Sequence, residues 1–540
     1  MSRSNPVIRP VSVYKDLSHV YYPAICMTGA ACLLETLIAN QIEVCFMNPG
    51  TSEMHFVAAL DHAAGLRGVL CLYEGVCSGA ADGYARMTGR PAATLLHLGP
   101  GLANGLSNFH NARKAGSPIV SIVGEHATGH RKYDAPLTSD IAAFARTVSH
   151  HVRTVKSAAS LGTAVSETIA AALALPGKIA TLIIPADFSW QESGPTGLAV
   201  MRPQRCPPSS GSVLDAARAM RSGNCALILG GTSMNTGALE AAGRLAGATG
   251  ARVFADRSTP RLVSGRAHFA VPKVPYFPED AIAALAGLRH LILVETQAPV
   301  SFFGYPDTPS SPVPKTCTVS VLATREQDGT AALEALVEEC GARNANIPVA
   351  GQGPSVAPLD GPLTLDAIGG TLAALLPQDV IISDEMISSG ASILPYLARA
   401  AAHEQLPITG GSIGQGLPVA VGAAIACHDR KVLALQADGS AMYSLQALWT
   451  MARENLDVLI VVLANRRYRI LDIEMARAGA HQVGQRANDM LDLRRPDLDF
   501  LSLSQGMGVP ATRATTAGEF TKQFRVAVEE RGPRLIEAVV

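Results

Sequence analysis

Short apolar runs recur along the 540-residue chain, each stopped by Gly, Pro, Asn or an acid and each followed by a longer stretch with apolar positions at helical spacing. In the first third these runs are VCFMNPG (44–50), AATLLHLGPG (92–101) and SPIVSIVGE (117–125), with a helical GAADGYARMTGR (79–90) before the second. CALILGG (225–231), ARVFAD (251–256) and HLILVET (290–296) follow, then DVIISDE (379–385), KVLALQADG (431–439) and DVLIVVLAN (457–465). Runs of this length, apolar throughout rather than alternating, predict strands buried on both faces. Alternation with helical stretches predicts open, mostly parallel sheets flanked by helices, an α/β fold.

Two stretches break the rhythm, 193–213 and 344–364, both rich in Pro, Gly and Ser. Read as linkers, they predict three domains, over 27–192, 205–343 and 361–540, preceded by an N-terminal arm over 1–26. The outer two share an order of events. Residues 79–125 and 416–465 each run through a small-residue helix, a basic turn, a strand, a Gly-rich turn, a helix containing Ala-Arg and a second strand. That self-similarity predicts two copies of one fold with different loops, suited to holding a ligand by its two ends.

Composition narrows the function classes. With 48% hydrophobic and 16% charged residues and a net charge of −1, the chain predicts a well-buried protein with extensive subunit contacts and no nucleic-acid partner. No apolar run is long enough to predict a membrane span, and the first 26 residues lack a signal-like apolar segment. Ten scattered cysteines without a C-x-x-C pair predict reduced core thiols and a cytoplasmic location.

The chemistry concentrates where strands end. Asp438 and Asn465, 27 residues apart, close two apolar runs joined by a predicted helix. An acid and an amide at the carboxyl edge of a sheet suit a hard divalent cation shared with phosphate, and Gly439-Ser440 offer N–H and hydroxyl donors. Alternatively Asp438 caps a helix and Asn465 opens a turn. Gly-rich GPGLANG (99–105) has G-x-G-x-x-x-G spacing and lacks the acid that a dinucleotide fingerprint places on a ribose, so no nicotinamide cofactor is expected.

Ala437-Asp438-Gly439 followed by Ala464-Asn465 resembles the thiamine-diphosphate motif Gly-Asp-Gly…Asn-Asn, with both flanking residues replaced by Ala. CLYEGVCSGAADGYARMTGRP (71–91) resembles the same family's segment around the Glu that contacts the cofactor's pyrimidine ring. NPGTSE (48–53), GPG (99–101), SDEMISSG (383–390) and GGSIGQGLPVAVGAA (410–424) add to the likeness, which spans most of residues 27–540. The layout is similar to the group containing benzoylformate decarboxylase, acetolactate synthase and pyruvate oxidase.

The resemblance implies a pyrimidine-binding domain at 27–192, a central Rossmann-like domain at 205–343 and a diphosphate-binding domain at 361–540. It implies Mg²⁺ held by Asp438, Asn465 and the carbonyl of Arg467, and cofactor contacts from Thr51, Ser388, Gly439 and Ser440. Ile413 would wedge between the two cofactor rings. Glu74 would exchange a proton with a ring nitrogen, turning the amino group opposite into the base at thiazolium C2. His97 matches a proton-relaying His of benzoylformate decarboxylase, whose second active-site His is replaced here by Gly304. Ile470 and Glu474 would face the substrate, Glu474 either as an exposed helix residue or as a selector against anionic tails. FAD in the central domain, as in acetolactate synthase, is possible but unsupported by any distinctive residue. The expected activity is decarboxylation of a 2-oxo acid to an aldehyde or acyloin, in a homodimer or homotetramer with sites between subunits. The alternatives are acetolactate-synthase-like carboligation, a C–C lyase, or a non-catalytic cofactor-binding paralogue.

Overall fold

The computed structural model describes residues 27–348, 357–479 and 484–540; the expected N-terminal arm lies outside them. The first sheet contains β1 (Val44–Asn48), β2 (Arg67–Leu70), β3 (Ala92–Leu96), β4 (Ile119–Glu125), β5 (His151–Thr154) and β6 (Ile179–Pro185). The second segment supplies β7 (Cys225–Leu229), β8 (Arg252–Ala255), β9 (Leu262–Ser264), β10 (His290–Val294) and β11 (Thr318–Ala323). From the last come β12 (Val380–Glu385), β13 (His403–Pro407), β14 (Val432–Ala437), β15 (Val458–Ala464), β16 (Ala511–Ala514) and β17 (Arg534–Val539). Every predicted apolar run lies on one of these strands, and β4, β6, β7 and β15 are buried at every residue. This is the three-domain α/β architecture expected.

The internal repeat is visible in the topology. The first sheet runs β2-β1-β3-β4-β6-β5, and the last runs β13-β12-β14-β15-β17-β16 when followed from its β13 side. Numbered within each domain, both are 2-1-3-4-6-5, and all these strands are parallel. The last sheet has one further strand: β9, from the middle of the chain, pairs antiparallel with β13, Val263 opposite Glu404. Nothing in LVS marks it for that edge, since three residues carry too little pattern to choose a sheet.

Two helices join the outer domains. Glu74–Thr88 and Gly416–Ala426 cross so closely that a Cβ on Gly83 would lie 2.2 Å from the Val419 carbonyl oxygen. One on Gly422 would lie 1.9 Å from that of Ala80. The small residues of GAADGYAR and GLPVAVGAA therefore act as a contact surface between backbones. At the same crossing, Asp82 and Arg86, one turn apart and almost fully buried, form an ion pair. Arg86 also donates to the Pro407 carbonyl (2.8 Å) and the Thr409 hydroxyl (3.0 Å), so the pair is satisfied across the domain boundary.

Of the nine described cysteines all are free; Cys32, Cys45, Cys71, Cys77 and Cys225 are buried, whereas Cys206 is exposed and Cys317, Cys340 and Cys427 are half-buried, so only part of the set belongs to the core. No helix among the described residues is long and apolar enough to cross a membrane.

Candidate active site

The carboxyl edge of the first sheet collects Thr51, Glu74 and His97. Beyond β1, Gly50 leads into a tight turn, Thr51–Glu53, with Thr51 exposed and Glu53 buried. Glu74 is the first residue of its helix, four positions past the end of β2, rather than the end of the strand itself. Its buried carboxylate accepts a hydrogen bond from the Asn104 amide (3.0 Å). A Cβ on Gly101 would stand 3.2 Å from the other Glu74 oxygen, which gives the GPG motif a physical role. That motif lies in the first turns of the Leu98–Ala115 helix and not in a separate loop.

His97 is the residue before that helix, with 23% of its side chain exposed. Nδ1 lies 2.8 Å from Glu53 Oε2, which also accepts the Gly50 N–H at 2.8 Å. A side chain at Gly50 would meet the imidazole at 2.3 Å, so the ring rests on that turn. Burial pushes the Glu53 carboxyl above its ordinary range, and the charge of His97 opposes that shift. Glu53 Oε1 is buried without a partner, while Nε2 of His97 has no protein partner among the described residues. Glu53 fixes the ring and leaves Nε2 available for proton transfer.

The last sheet presents the other half. Register between β14 and β15 sets Ala437 beside Leu463, so Asp438 and Asn465 emerge side by side. Asp438 is buried; one carboxylate oxygen accepts the Gly439 N–H (2.8 Å) and the other the Arg466 N–H (2.5 Å). Burial raises its carboxyl, and those two N–H groups hold it down. Asn465 Oδ1 accepts the Arg467 N–H at 2.9 Å. The connection predicted as one helix is two, Asp438–Ala441 and Ala447–Arg453. Ser440 is buried in the first of them. Among the described residues no three His, Cys, Asp or Glu side chains gather at a metal site. The carboxylate and the amide oxygen at these adjacent strand ends are nevertheless hard donors whose chemistry suits Mg²⁺, while the Arg467 carbonyl accepts the Arg469 N–H (2.8 Å).

Ser388 and Ile413 are both half-buried, the first in a turn at Ile387–Ser389, the second in the loop before Gly416. That loop is held by Glu385, which accepts the N–H groups of Gly414 (2.7 Å) and Gly416 (2.6 Å) and the Gln436 amide (2.8 Å). The Asn108 amide donates to both the Gly75 carbonyl (2.8 Å) and the Gly414 carbonyl (3.2 Å). The turn carrying Glu74 and the loop carrying Ile413 are thus tied together within one chain.

Ile470 and Glu474 lie half-buried on the Arg469–Arg477 helix. Glu474 is not an exposed helix residue: the Tyr305 hydroxyl donates to its Oε2 (2.7 Å), and its Oε1 is buried without a partner. Arg477, one turn on, lies over the rings of Phe277 (4.4 Å) and Tyr305 (5.0 Å). Sequence reading cannot supply this contact, because the two sides are 169 residues apart. Glu53, Asn104 and Glu385 were closer to view, lying inside NPGTSE, GPGLANG and SDEMISSG, whereas nothing local marks Asn108.

Known proteins are similar to this chain in sequence and fold. Residues 27–151 match the N-terminal TPP binding domain of thiamine pyrophosphate enzymes, and residues 395–538 match their C-terminal TPP binding domain. A Mycobacterium tuberculosis (strain ATCC 25618 / H37Rv) protein, provisionally named acetolactate synthase large subunit IlvX, is 48% identical over 517 residues, covering 95% of this chain and 99% of its own. The chain is a thiamine pyrophosphate enzyme. Benzoylformate decarboxylase of Pseudomonas aeruginosa is 29% identical to this thiamine pyrophosphate enzyme, over 93% of this chain and 97% of that one. A Rhodococcus jostii RHA1 thiamine diphosphate-dependent 4-hydroxybenzoylformate decarboxylase superposes with a TM-score of 0.83 at 25% identity, covering 94% and 98% of the two chains. As a class, these relatives assign the enzyme to decarboxylation and carboligation of 2-oxo acids.

Proposed function

We propose that the enzyme is a carboligase, which removes CO₂ from one 2-oxo acid and joins the remaining acyl unit to a second carbonyl compound, as acetolactate synthase does. Carrying this reading is the 48% identity, over nearly the whole of both chains, to a protein named for that activity. Proton supply favours it as well. His97 is the one imidazole assigned to the reacting centre, and Gly304, where benzoylformate decarboxylase has a second His, faces open space. With a single proton-handling group, addition to a carbonyl competes better with protonation to a free aldehyde.

Bound thiamine diphosphate would supply the electron sink for loss of CO₂. Asp438, Asn465 and the Arg467 carbonyl would hold Mg²⁺, with Gly439, Ser440, Thr51 and Ser388 as candidate cofactor contacts. Ile413 would support the cofactor's bent shape. Glu74, steadied by Asn104, would keep a proton at the pyrimidine nitrogen. His97, held through Nδ1 by Glu53, would deliver or accept a proton at Nε2. Ile470 and Glu474 would border the substrate, with the Glu474 carboxylate disfavouring anionic tails.

The test is product analysis with thiamine diphosphate, Mg²⁺ and a panel of 2-oxo acids from pyruvate to branched and aromatic acids, with Glu74→Gln as control. An acyloin acid as main product is expected from wild type and none from the variant. Free aldehyde as sole product would make the enzyme a simple decarboxylase. Absence of CO₂ release, with cofactor bound, would overturn both readings.

A further inference from the structure

The central domain opens as nucleotide-binding folds do, with a strand, β7, running into Gly230-Gly231-Thr232-Ser233 at the carboxyl edge of its sheet. In such folds the turn's N–H groups and a helix N-terminus together receive a phosphate. Here the same kind of donor set converges on a side chain of the protein itself. Glu295 follows β10 and is 1% exposed. Its Oε2 accepts the Thr232 N–H (2.8 Å), the Thr232 hydroxyl (3.0 Å) and the Arg205 guanidinium (3.2 Å). Its Oε1 accepts the Ser233 hydroxyl (2.8 Å), the Thr232 hydroxyl (3.1 Å) and the N–H of Gly329 (3.0 Å), first residue of the Gly329–Glu339 helix. Two main-chain N–H groups, two hydroxyls and a guanidinium thus surround one carboxylate.

The local backbone fits an anion in close approach. Gly231 has φ +53°, and a Cβ on it would lie 2.3 Å from Glu295 Oε2; a Cβ on Gly329 would lie 2.7 Å from Oε1. Glu295 has φ +52°, a left-handed conformation that a residue with a Cβ adopts only when its surroundings impose it. The side chain is therefore held into this cradle at some conformational cost.

We propose that the central domain retains an anion site of the kind that takes the diphosphate of a dinucleotide, and that Glu295 fills it permanently. Glu295 stands where the phosphate oxygens would stand and completes their hydrogen bonds. The enzyme consequently binds no flavin in its central domain, even though it is proposed to perform the acetolactate-synthase type of reaction. This inference concerns the central domain alone and does not rest on which product the active site forms.

The test uses the full-length enzyme loaded with thiamine diphosphate and Mg²⁺. Wild type should purify without flavin absorbance, leave FAD fluorescence unchanged on titration, and melt at the same temperature in inorganic phosphate as in chloride of equal ionic strength. Glu295→Ala should melt several degrees lower and recover in inorganic phosphate but not in chloride. Glu295→Gln, which fills the space but turns an NH₂ toward the donors, should also melt lower, and this can be read even if the Ala variant does not fold. FAD binding by wild type would overturn the proposal. So would a folded Ala variant that responds equally to phosphate and chloride, or a Gln variant as stable as wild type.

Discussion

At His97 a single distance carries most of the chemical meaning. Nδ1 sits 2.8 Å from Glu53 Oε2, so the carboxylate selects the tautomer and aims the ring. Glu53 makes no proposed contact with substrate; it is a positioning residue. Glu53→Gln should lower kcat by about 10-fold to 10²-fold, less than the loss of an acid–base group itself, with little change in cofactor affinity. The pH profile separates positioning from simple structural damage. Burial raises the Glu53 carboxyl, so its carboxylate form, and with it the acceptor for Nδ1, is lost as pH falls through a value above the ordinary 4.5. Wild type should lose activity on that acid limb, and the Gln variant, which has nothing to titrate there, should lose this limb while retaining a lower plateau. Profiles of the same shape in both proteins would show that Glu53 does not act through His97.

Among elements, the crossing of the Glu74–Thr88 and Gly416–Ala426 helices fixes how the two outer domains of one chain sit against each other. Each helix begins at a functional turn, Glu74 on one and the Ile413 loop before the other. Their separation is fixed by the absence of side chains at Gly83 and Gly422. Backbone cannot move aside as a flexible side chain can, so Gly422→Val should cost at least about 1–3 kcal/mol through overpacking, and cofactor affinity should fall with stability. Thermal unfolding and a thiamine diphosphate titration check this; an unchanged melting temperature would mean that the crossing tolerates the extra volume. The small-residue pattern was visible in GAADGYAR, yet small residues alone do not say which helix they face. The partner helix, Gly416–Ala426, lies far along the chain and is chosen only when the chain folds.

For the whole molecule, the two outer domains share the 2-1-3-4-6-5 strand order while their loops have diverged: Asp438 and Asn465 on one edge, Glu74 and His97 on the other. Family resemblance implies that the first domain of one subunit completes its site with the last domain of another. Two inactive proteins, Glu74→Gln and Asp438→Ala, should then complement each other. After subunit exchange, half the dimers would be mixed, and each mixed dimer would hold one intact site, so about a quarter of wild-type activity should return. Sites contained within one chain would give no recovery.

Residue order alone determined the α/β class and nine of the seventeen strands, and it proposed most of the candidate groups. Buried parallel strands must be apolar along their whole length, and a metal or cofactor loop must place particular chemical groups at a strand's end. Even Glu53, two residues beyond Thr51, stood inside a recognised motif. Tertiary structure decided which of these groups meet. β9 joined the far domain's sheet, Glu474 turned to Tyr305, Asn108 tied two loops together, and Glu295 entered the central domain's anion cradle. Each is a contact between segments that lie 30 to more than 300 residues apart. Local patterning carries information about the environment a residue needs, burial or a turn, but none about which distant partner will provide it.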